Sequence, residues 1–235
     1  MFHDALVPFA ERRIIFMIDG IIFDMDGILF DTERLFNECF AKALSKYGIT
    51  DTEPFITACL GRSTVESKEL CLKMLPVDFP YDEMHVELKG MFDERLAEGG
   101  MPVKNGVYLM LEYLKTNRFT IGLASSSSYN SIMHHLEAAN MTKYFSVIAS
   151  GDFVQKGKPE PDIYFYALDK MNLRGKNVIA FEDSPNGLKA ATAAGIKAVM
   201  IPDQVQYSKE FSPFVYEHFN SMTSALEALK KGELF

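Results

Sequence analysis

GIIFDMDGILFDTE, Gly20 to Glu33, decides how the rest of the chain is read. The apolar run Ile21, Ile22 and Phe23 stops at two carboxylates, Asp24 and Asp26, with Gly27 directly after them. A short run of large apolar residues bounded by a turn signal reads as a strand buried on both faces. The acids then stand at its carboxyl end, the edge where ligands bind in an open parallel α/β sheet. Two acids one residue apart share a pocket only if the backbone leaves strand geometry there, and Gly27 permits such a bend. Taken alone, Asp-x-Asp is equally well read as a turn. The remainder of the chain has to decide.

The 235 residues are enough for one medium domain with an insert, or for two compact domains. A net charge of −8 disfavours a nucleic-acid partner, whose phosphates need a basic face. Small phosphorylated ligands stay open, since a metal and a few placed cations suffice for them. Three cysteines, Cys39, Cys59 and Cys71, fit neither a disulfide framework nor a zinc site and are expected in a reducing cytoplasm. No apolar stretch has the length needed to span a bilayer, so no membrane partner is expected. Residues Met1 to Phe16 are read as an added leader, with Met17 an alternative start.

After Asp31 the spacing turns helical: Leu35, Phe36, Cys39, Phe40, Ala43, Leu44 and Tyr47 share one face, Gly48 ends it, and Thr32 is the expected N-cap. Further helices are expected over Thr64 to Met74 and Asp82 to Ala97. The helical stretch from 32 to 101 therefore reads as a domain inserted between 17–31 and 102–235. From Met101 the pattern alternates. Helices near Lys104 to Thr116, Tyr129 to Ala139, Asp162 to Met171 and Pro185 to Ala194 interleave with strands Thr120 to Ala124, Phe145 to Ala149, Asn177 to Phe181 and Lys197 to Ile201. A last helix is expected over Ser221 to Lys231. Such alternation implies an α/β fold, a parallel sheet with helices on both faces.

The strand ends carry the chemistry. The second strand runs into Ser125 and a serine cluster, the strand before Pro185 ends in Glu182 and Asp183, and a loop between them holds Lys156 and Lys158. In a parallel sheet these ends share one edge, so acids, hydroxyls and a cation gather in one crevice. Each also has a plain alternative: Ser125 as an N-cap, Glu182 and Asp183 as capping and dipole-complementing acids, Lys158 as a solvated lysine.

Together the segments FDMDG (Phe23 to Gly27), LASS (Leu123 to Ser126), KGKPEPD (Lys156 to Asp162) and FEDSPNG (Phe181 to Gly187) resemble, in order, the four motifs of the haloacid dehalogenase superfamily. The resemblance covers about Ile18 to Lys231, and the subgroup with β-phosphoglucomutase and small sugar-phosphate phosphatases is the most similar. It implies a Rossmann-like core and a small mobile helical cap. It implies Asp24 as a nucleophile that forms an aspartyl-phosphate, and Asp26 as the acid and base for the leaving alcohol and the attacking water. Ser125 and the Ser126 N–H would hold the phosphoryl group, and Lys158, which directly precedes Pro159, would neutralise it; Lys156 is the nearby competitor. Mg²⁺ is the expected cofactor, on the Asp24 carboxylate, the Asp26 carbonyl and the Asp183 carboxylate, with Glu182 direct or through water.

Thr32 and the cap segment Gly61, Arg62, Ser63 are the expected substrate contacts; a solvated arginine is the alternative for Arg62. The chain departs from β-phosphoglucomutase by placing Phe36 where that enzyme has a histidine, and Thr64 where it has a phosphate-gripping arginine. Hydrolysis of a small sugar or polyol phosphate is therefore expected over a mutase reaction. Asp26 counts against halide displacement and phosphonate cleavage. A non-catalytic phospholigand-binding protein is the alternative of another class. A monomer or weak homo-oligomer is expected.

Overall fold

The computed structural model describes residues 18–59 and 64–234. Among them six strands form one parallel sheet in the order β3-β2-β1-β4-β5-β6, built from β1 (Gly20–Phe23), β2 (Thr120–Ser125), β3 (Val147–Ser150), β4 (Val178–Glu182), β5 (Lys197–Met200) and β6 (Glu217–His218). The chain lays β2 and β3 on one side of β1, then crosses to lay β4, β5 and β6 on the other. β1 is therefore the topological switch point, where the connections diverge and leave a crevice at the carboxyl edge.

The apolar runs alternate across the sheet. Ile21 and Phe23 of β1 enter a core with Leu123, Ile179 and Phe181, covered by α5 (Val107–Thr116), α6 (Tyr129–Ala138) and α9 (Met222–Lys231). Ile22 points to the other face, with Ala124, Val178 and Ala180, under α7 (Asp162–Met171) and α8 (Pro185–Ala193). Both faces are covered, as the uninterrupted apolar strands require. Phe23 stacks on Phe181 at 5.3 Å, joining β1 to β4.

Between β1 and α5 lie four helices, α1 (Thr32–Lys46), α2 (Glu53–Cys59), α3 (Thr64–Met74) and α4 (Tyr81–Gly99). They bury a separate cluster that includes Leu35, Phe40, Leu44, Cys71, Met84 and Leu88. The two connections to this layer run side by side: the Asp31 N–H donates to the Pro102 carbonyl at 2.8 Å, and the Lys104 N–H donates to the Leu29 carbonyl at 2.9 Å.

Two short elements escaped the sequence. α2 contains Pro54, which reads as punctuation, yet proline is tolerated in a first helical turn because its missing N–H has no partner there anyway. β6 is two residues long and exposed, with no periodicity to detect. The expected cap role of Thr32 is corrected. Asp31 occupies the N-cap without a side-chain bond, and Thr32 lies inside α1 with its hydroxyl committed elsewhere. The reading of Met1 to Phe16 falls outside the described residues.

Candidate active site

The register of the sheet assembles the site. Phe23 pairs with Leu123 on one side and Phe181 on the other, so Asp24 follows in line with Glu182, and Ser125 stands one residue further along β2. The Asp24 N–H still donates to the Phe181 carbonyl at 3.0 Å, extending the ladder by one bond before the chain turns away. The turn is made at Gly27, whose φ of +77° only glycine adopts readily. A Cβ there would also come within 2.3 Å of the Asp183 carboxylate. The Gly27 N–H donates to the Phe30 carbonyl at 2.9 Å and closes the turn behind Asp26.

Asp24 and Glu182 fall on the sheet face that carries Tyr164, and Lys158 reaches them from the loop ahead of α7. Its Nζ lies 2.5 Å from Asp24 Oδ1, 2.6 Å from Glu182 Oε1 and 3.0 Å from the Ala124 carbonyl. Three acceptors match the three N–H bonds of an ammonium. Tyr164 adds a hydrogen bond to Glu182 Oε1, and the Ser184 hydroxyl approaches Oε2 at 3.4 Å. Glu182 is fully buried, and the space for it comes from Gly187, where a Cβ would sit 1.9 Å from Oε2. Glu182 thus serves first as an anchor for Lys158.

Asp26 is held differently. Its Oδ1 accepts from the Thr32 hydroxyl at 2.6 Å, and the Ser127 hydroxyl reaches Oδ2 at 3.4 Å. Ser125 Oγ accepts from the Ser127 N–H at 3.1 Å, which leaves its own O–H available to donate. Ser128 caps α6 by accepting from the Ser131 N–H. The capping role that competed for Ser125 therefore belongs to Ser128.

Charge is unevenly balanced here. Carboxylate oxygens of Asp24, Glu182 and Asp183 lie within 4.8 Å of one another, all on buried residues. Burial raises the Asp24 carboxyl well above the usual carboxylate range; Lys158 draws it back, while Glu182 and Asp26 push it further up. Burial likewise raises Asp183, and Asp24 and Glu182 add to the effect. Burial opposes the charge of Lys158, but Asp24 and Glu182 outweigh it and hold its pKa above the ordinary lysine value. Three acids against this one ammonium leave a local excess of negative charge, in an all-oxygen donor set that suits a hard divalent cation.

A cleft of about 680 Å³ opens over these groups. Asp24, Asp26, Ser125, Ser126, Lys158 and Asp183 line its floor, while Phe36, Cys59, Tyr81, His85 and Phe92 of the helical layer line its opposite wall. Arg62 and Ser63 lie outside the described residues. Sequence reasoning missed Tyr164, which reads as an ordinary core position of α7, and Ser127, hidden in its serine run. It also passed over Glu33, whose carboxyl is pushed to about 7 by burial and by Asp203 and Asp26, and the Lys104–Asp203 ion pair beside it.

A reactive-acid crevice at the switch point of a doubly wound sheet defines an α/β enzyme working at the carboxyl edge of its strands. Residues 21–201 match the haloacid dehalogenase-like hydrolases, and the chain belongs to that family. Within it the chain is a phosphatase-type enzyme of the β-phosphoglucomutase-like branch. It is 33% identical over 172 residues to a phosphorylated carbohydrates phosphatase of Thermotoga maritima, covering 72% of this chain and 77% of that one. It is 31% identical to protein CbbY of Cereibacter sphaeroides over 185 residues, 76% of this chain and 80% of the relative. A candidate β-phosphoglucomutase structure from Thermotoga maritima superposes with a TM-score of 0.78 at 28% identity, covering 91% of this chain and 99% of that chain. No helix among the described residues is long and apolar enough to cross a membrane.

Proposed function

We propose that this enzyme hydrolyses the phosphate ester of a small phosphorylated carbohydrate with the help of Mg²⁺, through a phosphoryl group carried on Asp24. The observation that carries this reading is Lys158, clamped between Asp24 and Glu182 at the strand edge shared with Ser125 and Asp183. Loss of a phosphoryl group from an ester needs an in-line nucleophile and charge stabilisation around the equatorial oxygens, and these residues supply both.

Asp24 attacks phosphorus, and Asp26 protonates the departing alcohol. Asp26 then takes a proton from the water that cleaves the aspartyl-phosphate. Thr32 holds the Asp26 carboxylate in place for both transfers. The Ser125 hydroxyl and the Ser126 N–H bind the phosphoryl oxygens, and Lys158, held by Asp24, Glu182 and the Ala124 carbonyl, neutralises them as a nearby point charge. The Asp24 and Asp183 carboxylates and the Asp26 carbonyl would hold the cation, with Glu182, already engaged by Lys158 and Tyr164, reaching it through water. When bound, Mg²⁺ supplies neutralising charge for the phosphoryl group and the clustered acids.

Residues 32–101 act as a cap on a core formed by 17–31 and 102–235, hinged where 29–31 and 102–104 run together. Closure excludes bulk water from the ester, and Thr32, Arg62 and Ser63 contribute to substrate recognition. We place the enzyme in the cytoplasm as a monomer or weak homo-oligomer. A β-phosphoglucomutase-type transfer is the second reading, motivated by the structural likeness to the Thermotoga maritima protein.

Incubation with a panel of sugar and polyol phosphates plus Mg²⁺ is expected to release inorganic phosphate. Bisphosphate-dependent interconversion of β-glucose 1-phosphate and glucose 6-phosphate would instead establish the mutase. Asp24→Asn should abolish release from every ester while keeping the wild-type circular dichroism; a variant with full activity removes Asp24 as the nucleophile.

A further inference from the structure

We propose that Phe36 is an aromatic platform in the cleft on which the organic part of the substrate lays a flat face, so that closed-ring sugar phosphates are selected over open-chain polyol phosphates. This deepens the phosphatase reading given above and rests on it. Phe36 is the exposed one among the large apolar side chains of α1: it keeps 39% of its surface open, while Leu35, Phe40 and Leu44 are buried. The open ring lines the cleft, whose volume of about 680 Å³ is ordinary for a small-molecule site.

Helix geometry places this ring beside the chemistry. Thr32 and Phe36 are four residues apart in α1, so they lie on one face, a single turn from each other. Helical side chains lean toward the N-terminus, and Phe36 therefore covers the turn that begins at Thr32. The Thr32 hydroxyl in turn donates at 2.6 Å to Asp26, the acid proposed to protonate the leaving alcohol. One helical turn rises about 5.4 Å, comparable to the breadth of one sugar ring. An alcohol that takes its proton from Asp26 thus has its carbon skeleton within reach of Phe36.

The platform is held by its neighbours. Phe40 packs against Phe36 at 6.2 Å between ring centroids with the planes inclined by 30°, and Phe92 of α4 meets it at 6.0 Å and 70°. Both line the cleft as well. Aromatic pairs at such separations attract and orient one another, so the ring is set before a ligand arrives and little side-chain freedom is lost on binding. A glucopyranose carries C–H bonds on its faces and hydroxyls around its rim. It can therefore lay an apolar face on a phenyl ring and turn its hydroxyls toward polar wall groups such as Asn37 and His85. An open-chain polyol has no such face and must also give up rotation about its carbon–carbon bonds. The floor grips the phosphate common to both; Phe36 tells their organic parts apart.

Glucose 6-phosphate and sorbitol 6-phosphate test this, because they carry the same phosphate on a carbon chain of the same length and differ in ring closure. The full chain with Mg²⁺ is expected to show the higher kcat/KM for glucose 6-phosphate, mainly through a lower KM. Phe36→Ala should lower the ratio of the two kcat/KM values about tenfold. Phe36→Leu, which keeps apolar volume without a flat face, should lower it too, and Phe36→Tyr should restore it. No preference for glucose 6-phosphate in the wild type overturns the platform. So does a ratio that Phe36→Ala leaves unchanged, and equal losses on the two esters would mark a merely structural ring. Calorimetric binding of both esters to Asp24→Asn protein, with and without Phe36→Ala, separates the platform from hydrolysis. Weaker binding of glucose 6-phosphate alone, in a protein whose wild type releases no phosphate, leaves the platform standing and removes the phosphatase reading; binding that ignores Phe36→Ala removes the platform whatever the turnover.

Discussion

Lys158 carries more of the site than its place in a loop would indicate, because acceptors from β2, from β4 and from Asp24 just past the end of β1 converge on its ammonium. Removing a charge from a buried ion pair leaves its partners uncompensated, at a cost of about 3–5 kcal/mol. Lys158→Met is therefore expected to lower stability by about that amount in urea unfolding. Adding Glu182→Gln should recover part of the loss, since the second change removes one of the stranded charges; additive losses would show that the two residues are uncoupled. The Thr32 hydroxyl donates to Asp26, the acid proposed to handle the proton. Thr32→Val should reduce kcat about tenfold, equivalent to about 1.4 kcal/mol in the barrier, with KM changed less than kcat; unchanged kcat would free Asp26 from its hydroxyl partner. That Asp24, Asp26, Lys158 and Asp183 come together in one crevice was legible in the chain, because strand ends and a four-segment pattern mark their positions. Ser127 and Tyr164 were not legible, because a serine in a run and a tyrosine on a helix carry no spacing that distinguishes a site from a cap or a core.

At the scale of elements, the strands were read well because both-face burial imposes uninterrupted apolar runs such as Ile21 to Phe23 and Val178 to Phe181. Their register could not be read, since identical runs slide past one another in sequence. Register is what places Asp24 beside Glu182. The start of α8 shows how tightly an element is fitted to the chemistry: Ser184 caps it by accepting from the Gly187 N–H, Pro185 opens it, and Gly187 clears the volume that Glu182 fills. Gly187→Ala has no backbone penalty, because that glycine lies in ordinary helical geometry, so any effect is steric. Its methyl would displace Glu182 and, through it, Lys158. A loss of about 1–3 kcal/mol, as for overpacked cores, is expected in the same urea assay, together with a fall in kcat of at least tenfold; an alanine variant that turns over normally would show that Glu182 moves without consequence. The helical layer was less legible than the sheet, as α2 is one short helix behind a proline and its packing partners lie in α1 and α3.

Across the whole molecule the folded state pulls Asp24, Glu182 and Asp183 out of water and together, while the unfolded chain leaves them apart. A divalent cation that binds only the assembled cluster must then stabilise the fold by mass action. At a concentration one hundred times its dissociation constant the gain is about 2.7 kcal/mol. For a chain of this size each kcal/mol is worth about 2–4 °C, so saturating Mg²⁺ is expected to raise the melting temperature by roughly 5–10 °C over protein in EDTA at matched ionic strength. Screening by added monovalent salt cannot reproduce the effect, because the acids are buried and bulk ions screen buried charges weakly. Asp183→Asn separates the cation from the rest of the site, since Asp183 touches neither Lys158 nor Tyr164 in the hydrogen-bond network. In EDTA this variant should melt at or above the wild type, having lost one member of a mutually repelling cluster. With Mg²⁺ it should gain little, and the two melting curves should cross in order on addition of the cation. An Asp183→Asn protein that gains as much as the wild type would place the cation elsewhere and leave the excess charge at Asp24 to be balanced by the substrate cleft alone.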